Sequence, residues 1–342
     1  MIKFLNGDDC HAALTAQNVG ELAFSPEADF GVWRSQLREK LSQLLGMDRI
    51  AANACIPKVE IEEETELEGY RRIRFTVETE RDCQVPCYLL IPSGGEGPFP
   101  VAITLQGHSS GFHNSVGIVK FDGDAAYQTR GTFAIQAVEH GFAALCIELR
   151  GMGELRSPRC LLGSHSCAFN AMTALNHGRT MLGERVWDIS RVIDVLPQLG
   201  MDTGRILITG NSGGGTASFY AACMDERIAL SVPSCSFCSY KASIMSIVHC
   251  VCNYIPQASC YFEMEDLSAL IAPRRLTVVT GQKDDIFPIE GVRESYRTVE
   301  KIYAAAGVPE NCRLVETPRE HWWCQDLVWG SIEETVREMG WR

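Results

Sequence analysis

Ile206-Leu207-Ile208-Thr209-Gly210-Asn211-Ser212-Gly213-Gly214-Gly215-Thr216-Ala217-Ser218-Phe219-Tyr220-Ala221-Ala222 is the stretch that decides the fold. A short apolar run ends in Gly-x-Ser-x-Gly, and a run of small and apolar residues follows at once. The order is strand, tight turn, helix. The pentapeptide alone is a weak signal, because Gly and Ser are common; its flanks supply the specificity. A serine in so sharp a turn tolerates only small neighbours. The N-terminus of the following helix aims N–H groups and a positive dipole end toward developing negative charge. Ser212 is therefore a candidate nucleophile.

Outward from this turn, strands and helices alternate. Val101 to Leu105 is a continuous apolar run of the kind that is buried on both faces. A helix is expected over Asp124 to His140, a strand over Phe142 to Leu149, a helix over Met181 to Leu199 and a strand from Arg205. Beyond the serine, the pattern predicts strands at Leu230–Pro233, Leu276–Thr280 and Cys312–Glu316, with helices at Ser295–Ala306 and Gln325–Met339. Such alternation implies an α/β fold with a mainly parallel central sheet and helices on both faces. Residues 1–99 form an N-terminal extension. It holds a helix over Asp29 to Leu45 closed by Gly46, acidic and β-branched residues from Val59 to Glu68, and strands at Arg71–Thr79 and Cys87–Ile91, the last followed by a turn at Pro92-Ser93-Gly94-Gly95. Residues 100–342 form the core, and two insertions near 151–180 and 234–270 break the alternation as lid-like loops.

A serine hydroxyl needs a base, and the base is usually a His oriented by a carboxylate. After Ser212 only His249 and His321 remain. His321 lies between the Cys312–Glu316 strand and the last helix, which makes it the candidate base. The acid is sought at the end of the Leu276–Thr280 strand, where Asp284 and Asp285 both stand; Asp284 is preferred. Two backbone donors must hold the oxyanion. Gly213 supplies one candidate N–H, and His108, in the loop Gln106-Gly107-His108 after the Val101–Leu105 strand, supplies the other. Gln106, Gly107, Asn211 and Trp322 are candidate substrate-lining residues.

The 342-residue chain is 46% hydrophobic and 22% charged, with a net charge of -12. That is enough apolar material for a sizeable core, and the acidic balance argues against nucleic acid and anionic membranes as partners. Two acids arrive at Asp8 and Asp9 before any long apolar run, so no secretory signal is expected and no stretch reaches membrane-span length. Fifteen cysteines then read as reduced thiols in a cytoplasm. Cys235-Ser236-Phe237-Cys238 and His249-Cys250-Val251-Cys252 have zinc-like spacing, but buried Cys is commonly a small packing residue, and the expectation here is packing, with no metal and no cofactor. Arg150, Arg156 and Arg159 read as a loop anchor and solvated charges rather than a carboxylate clamp. Trp33, Trp322 and Trp323 read chiefly as packing residues, with Trp322 near enough to His321 to serve a pocket.

With these residues in place, the chain resembles the acetyl xylan esterase and cephalosporin deacetylase group of α/β-hydrolases, among the dienelactone-hydrolase-like esterases. The matching stretches are Pro100 to Gly111, Glu148-Leu149-Arg150-Gly151-Met152-Gly153-Glu154, Gly178 to Leu196, Gly210 to Gly214, Gly281 to Pro288 and His321-Trp322. The resemblance spans roughly residues 28 to 340. It implies an α/β-hydrolase fold, Asp284 as the acid through Gly281-x-x-Asp284, and cofactor-free hydrolysis of small-molecule acyl esters, often acetyl groups on saccharides. The chain departs from that group in its Gln106-Gly107-His108 loop, in Asn211, and in the Cys-rich 235–260 segment. A thioesterase, lactonase or peptidase on the same residues, or a non-catalytic binding protein, are the rival readings. A monomer and a homo-oligomer are both open.

Overall fold

The structure, a computed structural model, describes residues 6–94, 97–161 and 165–341. The N-terminal Met1–Leu5, the Gly95 end of the turn after the third strand, and residues 162–164 of the first insertion lie outside the described residues. One sheet organises the chain. Its strands are β1 (Lys58–Leu67), β2 (Tyr70–Glu80), β3 (Cys83–Pro92), β4 (Val101–Leu105), β5 (Ala143–Ile147), β6 (Ile206–Asn211), β7 (Ile228–Ser234), β8 (Arg275–Gly281) and β9 (Cys312–Thr317). They lie side by side in the order β1-β2-β3-β5-β4-β6-β7-β8-β9. β1, β2, β3 and β5 pair antiparallel, and every pairing from β5 through β4 to β9 is parallel. The N-terminal extension thus adds three strands to the edge of the same sheet.

The helices are α1 (Gly7–Gln17), α2 (Phe30–Leu45), α3 (Met47–Ala51), α4 (Phe133–Glu139), α5 (Ala168–Asn176), α6 (Met181–Val195), α7 (Gly213–Met224), α8 (Ala258–Tyr261), α9 (Ile289–Ala305) and α10 (Gln325–Glu338). Two hydrophobic cores show how they cover the sheet. Val101, Ile103, Ile206, Ile208, Leu276 and Val278 pack with residues of α2, α6, α7 and α9. Their neighbours Ala102, Leu207 and Val279 face the other way, against Phe133 and Ala137 of α4 and Val328, Trp329 and Ile332 of α10. The period-2 alternation of a strand explains why β4, β6 and β8 are buried at all but an end position: each face has its own helical cover.

Several element boundaries depart from the sequence expectation; the strand expected from Cys87, for one, begins at Cys83. No continuous helix runs from Asp124 to His140. A 3₁₀ turn covers Asp122–Tyr127 and the α-helix starts only at Phe133, because the Asp124 carboxylate accepts the Lys120 and Phe121 N–H groups and bends the chain before it. The helix from Met181 changes to a 3₁₀ turn over Leu196–Leu199, where Pro197 lacks the N–H an α-helix needs. The helix expected from Ser295 begins six residues earlier, directly after Pro288. α1 has a capping box between Asn6 and Asp9 but buries no residue, so it has no apolar stripe to announce it.

Candidate active site

The site gathers at the carboxyl ends of β4, β6, β8 and β9, beside the point where the strand order reverses. β6 delivers Ser212 into a conformation with φ 55° and ψ −125°, and α7 starts at the next residue. The turn holds because its flanks are glycine. A Cβ on Gly210 would lie 2.5 Å from the Leu105 carbonyl oxygen, and one on Gly214 2.2 Å from it. The Ser212 N–H is used by the Ser234 carbonyl at 2.9 Å, which fixes the backbone while the side chain faces the cavity described below.

Asp284 and His321 meet as the chain order requires. His321 Nδ1 and Asp284 Oδ2 are 2.8 Å apart. The other carboxylate oxygen of Asp284 accepts the Ile286 and Phe287 N–H groups at 2.9 and 3.1 Å. The Asp284 side chain is fully buried, whereas Asp285 is exposed. Of the two adjacent acids, only Asp284 reaches the imidazole. Phe287 stacks on the His321 ring, with planes 15° apart, and adds a flat apolar support. Neither Ser212 Oγ nor His321 Nε2 has a protein hydrogen-bond partner among the described residues. In unliganded sites such contacts commonly tighten only with substrate present.

The Gln106–Gly111 loop lies against the serine turn: a Cβ on Gly107 would be 3.1 Å from Ser212 Cβ, and one on Gly213 would be 3.0 Å from the His108 ring. Gly213 is the first residue of α7, so its N–H has no intrahelical acceptor. The His108 N–H meets no protein acceptor among the described residues. The Gln106 side chain is committed elsewhere, donating to Ser115 Oγ at 2.8 Å and to the Gly131 carbonyl at 2.6 Å. It braces the loop.

Two buried acids that the sequence reading did not single out hold this loop from behind. Burial opposes ionisation of Asp124, but hydrogen bonds from Ser110, the Lys120 N–H, His113 and the Phe121 N–H outweigh it and bring its carboxyl down to about 2. His113, 2.9 Å from that carboxylate, is pushed below the usual imidazole value by burial. Glu148, at the end of β5, accepts the Phe112 N–H at 3.3 Å and the Glu154 N–H at 3.1 Å through one oxygen. Burial raises its carboxyl to about 7. The only sequence signal for Glu148 was its place in the Glu148–Glu154 stretch; Asp124 had none.

The matching family profile, described as Abhydrolase family, covers residues 13–321. The chain belongs to this family. Among curated relatives, the Bacillus subtilis (strain 168) protein named "Putative hydrolase YtaP" is 26% identical over 294 residues, which is 84% of this chain and 94% of that protein. A 4-O-methyl-glucuronoyl methylesterase of Neurospora crassa is 30% identical over 146 residues, 42% of this chain and 30% of that protein. Among solved structures, a "putative acetyl xylan esterase" from Bacteroides fragilis NCTC 9343 superposes with a TM-score of 0.80 at 18% identity, covering 98% of this chain and 95% of the other. A glucuronoyl esterase from Solibacter usitatus superposes at 0.68 with 14% identity, covering 94% and 99%. The α/β-hydrolase fold is thereby established for this family member.

Ser212 and His321 line one cavity of about 160 Å³, together with Gln106, Gly107, His108, Asn211 and Trp322. All the sequence-selected lining residues are therefore in one place. Tyr127, Arg130 and Phe133 add to the wall and were missed, because they fall in the stretch read as one helix; Trp323, read from the sequence chiefly as a packing residue, lines it too. Trp323 is buried and donates to Gln136 at 2.9 Å, so it is packing. Arg130 stacks over the Trp322 ring and has no carboxylate partner among the described residues; burial lowers its pKa somewhat. Arg150, by contrast, is the anchor the sequence suggested, bound bidentately to Asp188 at 2.6 Å. Arg156 and Arg159 are engaged with the Cys160 carbonyl and the Phe169 ring, away from the cavity.

The cysteine pairs with zinc-like spacing do not come together. Cys235 lies by the Trp322 carbonyl, and a Cβ on Gly291 would touch the Cys238 sulfur at 2.7 Å. His249 packs on Phe287 and contacts Asn253. Cys250 and Cys252 instead join Cys167 and His108.

Proposed function

We propose that this chain is a serine carboxylesterase that hydrolyses small acyl esters, acetyl esters above all, with acetylated saccharides as the natural substrate class. The observation that carries the reading is the His321–Asp284 pair at 2.8 Å, whose imidazole lines the same cavity as a serine held at a positive φ. In the first step His321 Nε2 takes the Ser212 proton as Oγ attacks the ester carbonyl. The Gly213 and His108 N–H groups receive the oxyanion. His321 then protonates the departing alcohol, and water, deprotonated by the same imidazole, releases the acid from the acyl-enzyme. Asp284, held by two backbone N–H groups, fixes the imidazole tautomer and faces the imidazolium.

The cavity's size supports a small acyl group. Trp322 with Arg130 beside it supplies an aromatic and hydrogen-bonding wall suited to a sugar. Residues 1–99 act as an extension of the 100–342 core; among the described residues, the segments near 151–180 and 234–270 supply none of the residues that line the cavity. The acidic balance and fifteen thiols support a cytoplasmic enzyme that meets short imported esters rather than polymers. No helix among the described residues is long and apolar enough to cross a membrane.

The test is hydrolysis of p-nitrophenyl acetate, butyrate and octanoate by wild type and Ser212→Ala, followed by acetylated xylo-oligosaccharides and a methyl ester of glucuronic acid. Acetate turnover that vanishes in the variant supports the reading, and the two sugar substrates tell whether the saccharide sits on the alcohol or the acyl side. Absence of serine-dependent ester turnover, with activity on thioesters or lactones instead, would overturn it.

A further inference from the structure

Behind the candidate oxyanion loop, His108, Cys167, Cys250 and Cys252 place one nitrogen and three sulfurs within 4.8 Å of one another. His108 Nε2 is 3.4 Å from the Cys167 sulfur and 3.2 Å from that of Cys252. Cys250 is 2.9 Å from Cys167 and 3.5 Å from Cys252. The Cys167–Cys250 separation is well beyond the roughly 2.05 Å of a disulfide bond. A tetrahedral zinc ion, with bonds of about 2.3 Å to sulfur and 2.0 Å to nitrogen, sets its ligand atoms roughly 3.5–3.8 Å apart. The two His108–sulfur edges and the Cys250–Cys252 edge need a few tenths of an ångström at most to reach that geometry, and the Cys167–Cys250 edge must open by about 0.9 Å.

A second observation is independent of the spacing. Arg185 is completely buried. Its guanidinium donates to the Arg150 carbonyl and lies 3.3 Å from the Cys252 sulfur, yet it has no carboxylate partner among the described residues. A buried cation without an anion is strongly unfavourable. Three thiolates, a neutral imidazole and one Zn²⁺ carry a net charge of −1, which Arg185 neutralises. The surroundings agree: the three cysteines, with Ala171 and Met181, form a small core separate from the two that cover the sheet.

We propose that His108, Cys167, Cys250 and Cys252 bind one zinc ion as a closed, four-ligand site. With all four positions taken by protein, the ion is structural. It ties together three segments that secondary structure holds poorly: the 106–111 loop, the first insertion through Cys167, and the second insertion through Cys250 and Cys252. The hold on the His108 side chain fixes the N–H that faces the reacting carbonyl. Only Cys250 and Cys252 carried a sequence signal, because Cys167 is 83 residues from Cys250.

The experiment is elemental analysis of untagged wild-type protein after dialysis against a weak chelator, with Cys252→Ser, Cys167→Ser and, as control, Cys312→Ser. One zinc per chain is expected in wild type and in Cys312→Ser, falling by roughly an order of magnitude or more in the two ligand variants. Because a ligand variant can fail to fold, the wild-type protein is also loaded with Co²⁺, for which thiolate-to-cobalt charge-transfer bands and tetrahedral d–d bands are expected. Folded wild type that contains no zinc and gives no such bands would overturn the proposal. A protein whose mass is lower by two hydrogens, with a Cys167–Cys250 cross-linked peptide, would overturn it in favour of a disulfide.

Discussion

Replacing Glu148 with Gln should change how stability depends on pH far more than it changes stability at acid pH. The Glu148 carboxyl is buried, and burial lifts it from an ordinary 4.5 to about 7. A folded-state value above the unfolded one means stabilisation that is complete below pH 4.5 and is lost as pH rises through 7. With 1.36 kcal/mol per unit, the full span is about 3 kcal/mol, of which roughly 2.5 kcal/mol disappears between pH 5 and pH 8.5. Glutamine is the informative replacement. Glu148 accepts both N–H groups through a single oxygen, so an amide oxygen in that place keeps the hydrogen bonds while removing the titration. Denaturant midpoints at pH 5, 6, 7 and 8.5, followed by tryptophan fluorescence, give the difference between wild type and Glu148→Gln. Other buried acids, such as Glu265 and Asp266, titrate alike in both proteins and cancel. The variant should gain on wild type as pH rises, by about 2.5 kcal/mol over the range. A difference that does not move with pH would refute the reasoning, since it would mean that Glu148 does not change its proton occupancy differently in the two states.

Asp284→Asn should lower kcat for p-nitrophenyl acetate by about four orders of magnitude by releasing the His321 tautomer, whereas Asp285→Asn should change it less than about twofold; equal losses would mean that the acid is misassigned. Arg130→Ala should leave p-nitrophenyl acetate kinetics near wild type and raise KM for an acetylated xylo-oligosaccharide bearing a uronic acid by roughly tenfold, as expected for loss of a charge-assisted contact. Asp124→Asn should destabilise the fold by about 1–3 kcal/mol at neutral pH, because an amide meets four donors less well than a carboxylate does. In wild type that carboxylate's contribution is present above about 3.8 and lost as pH falls toward 2, so the acid-unfolding midpoint of the variant should lie higher.

The parts of this fold that were legible in the sequence are those where one physical requirement acts on neighbouring residues. Ile206 to Ala222 announced a strand, a turn and a helix because double-faced burial, a tight approach to Leu105 and helix formation each select residue types locally. Ser212 and His321 could be picked out as candidates because the chain order of this chemistry leaves few, and Asp284 was preferred over Asp285 through the resemblance carried by Gly281-x-x-Asp284, whereas the burial that sets the two adjacent acids apart has no signal in the sequence. The stretch from Asp124 to His140 misled because helical spacing was present, while the carboxylate that bends the chain at Lys120 and Phe121 acts through hydrogen bonds that have no periodic signature. Cys167 and Glu148 fail in a related way: each is defined by partners from other segments, so only the folded chain shows its environment. The same reasoning separates the two layers of the site. The proposed reacting groups stand at strand ends, where local pattern places them. The groups that brace the oxyanion loop — Asp124, Glu148 and the cysteines around His108 — come from loops and distant segments. Substitutions in that second layer should therefore alter the precision of the loop, and hence kcat, without removing any group that touches the substrate.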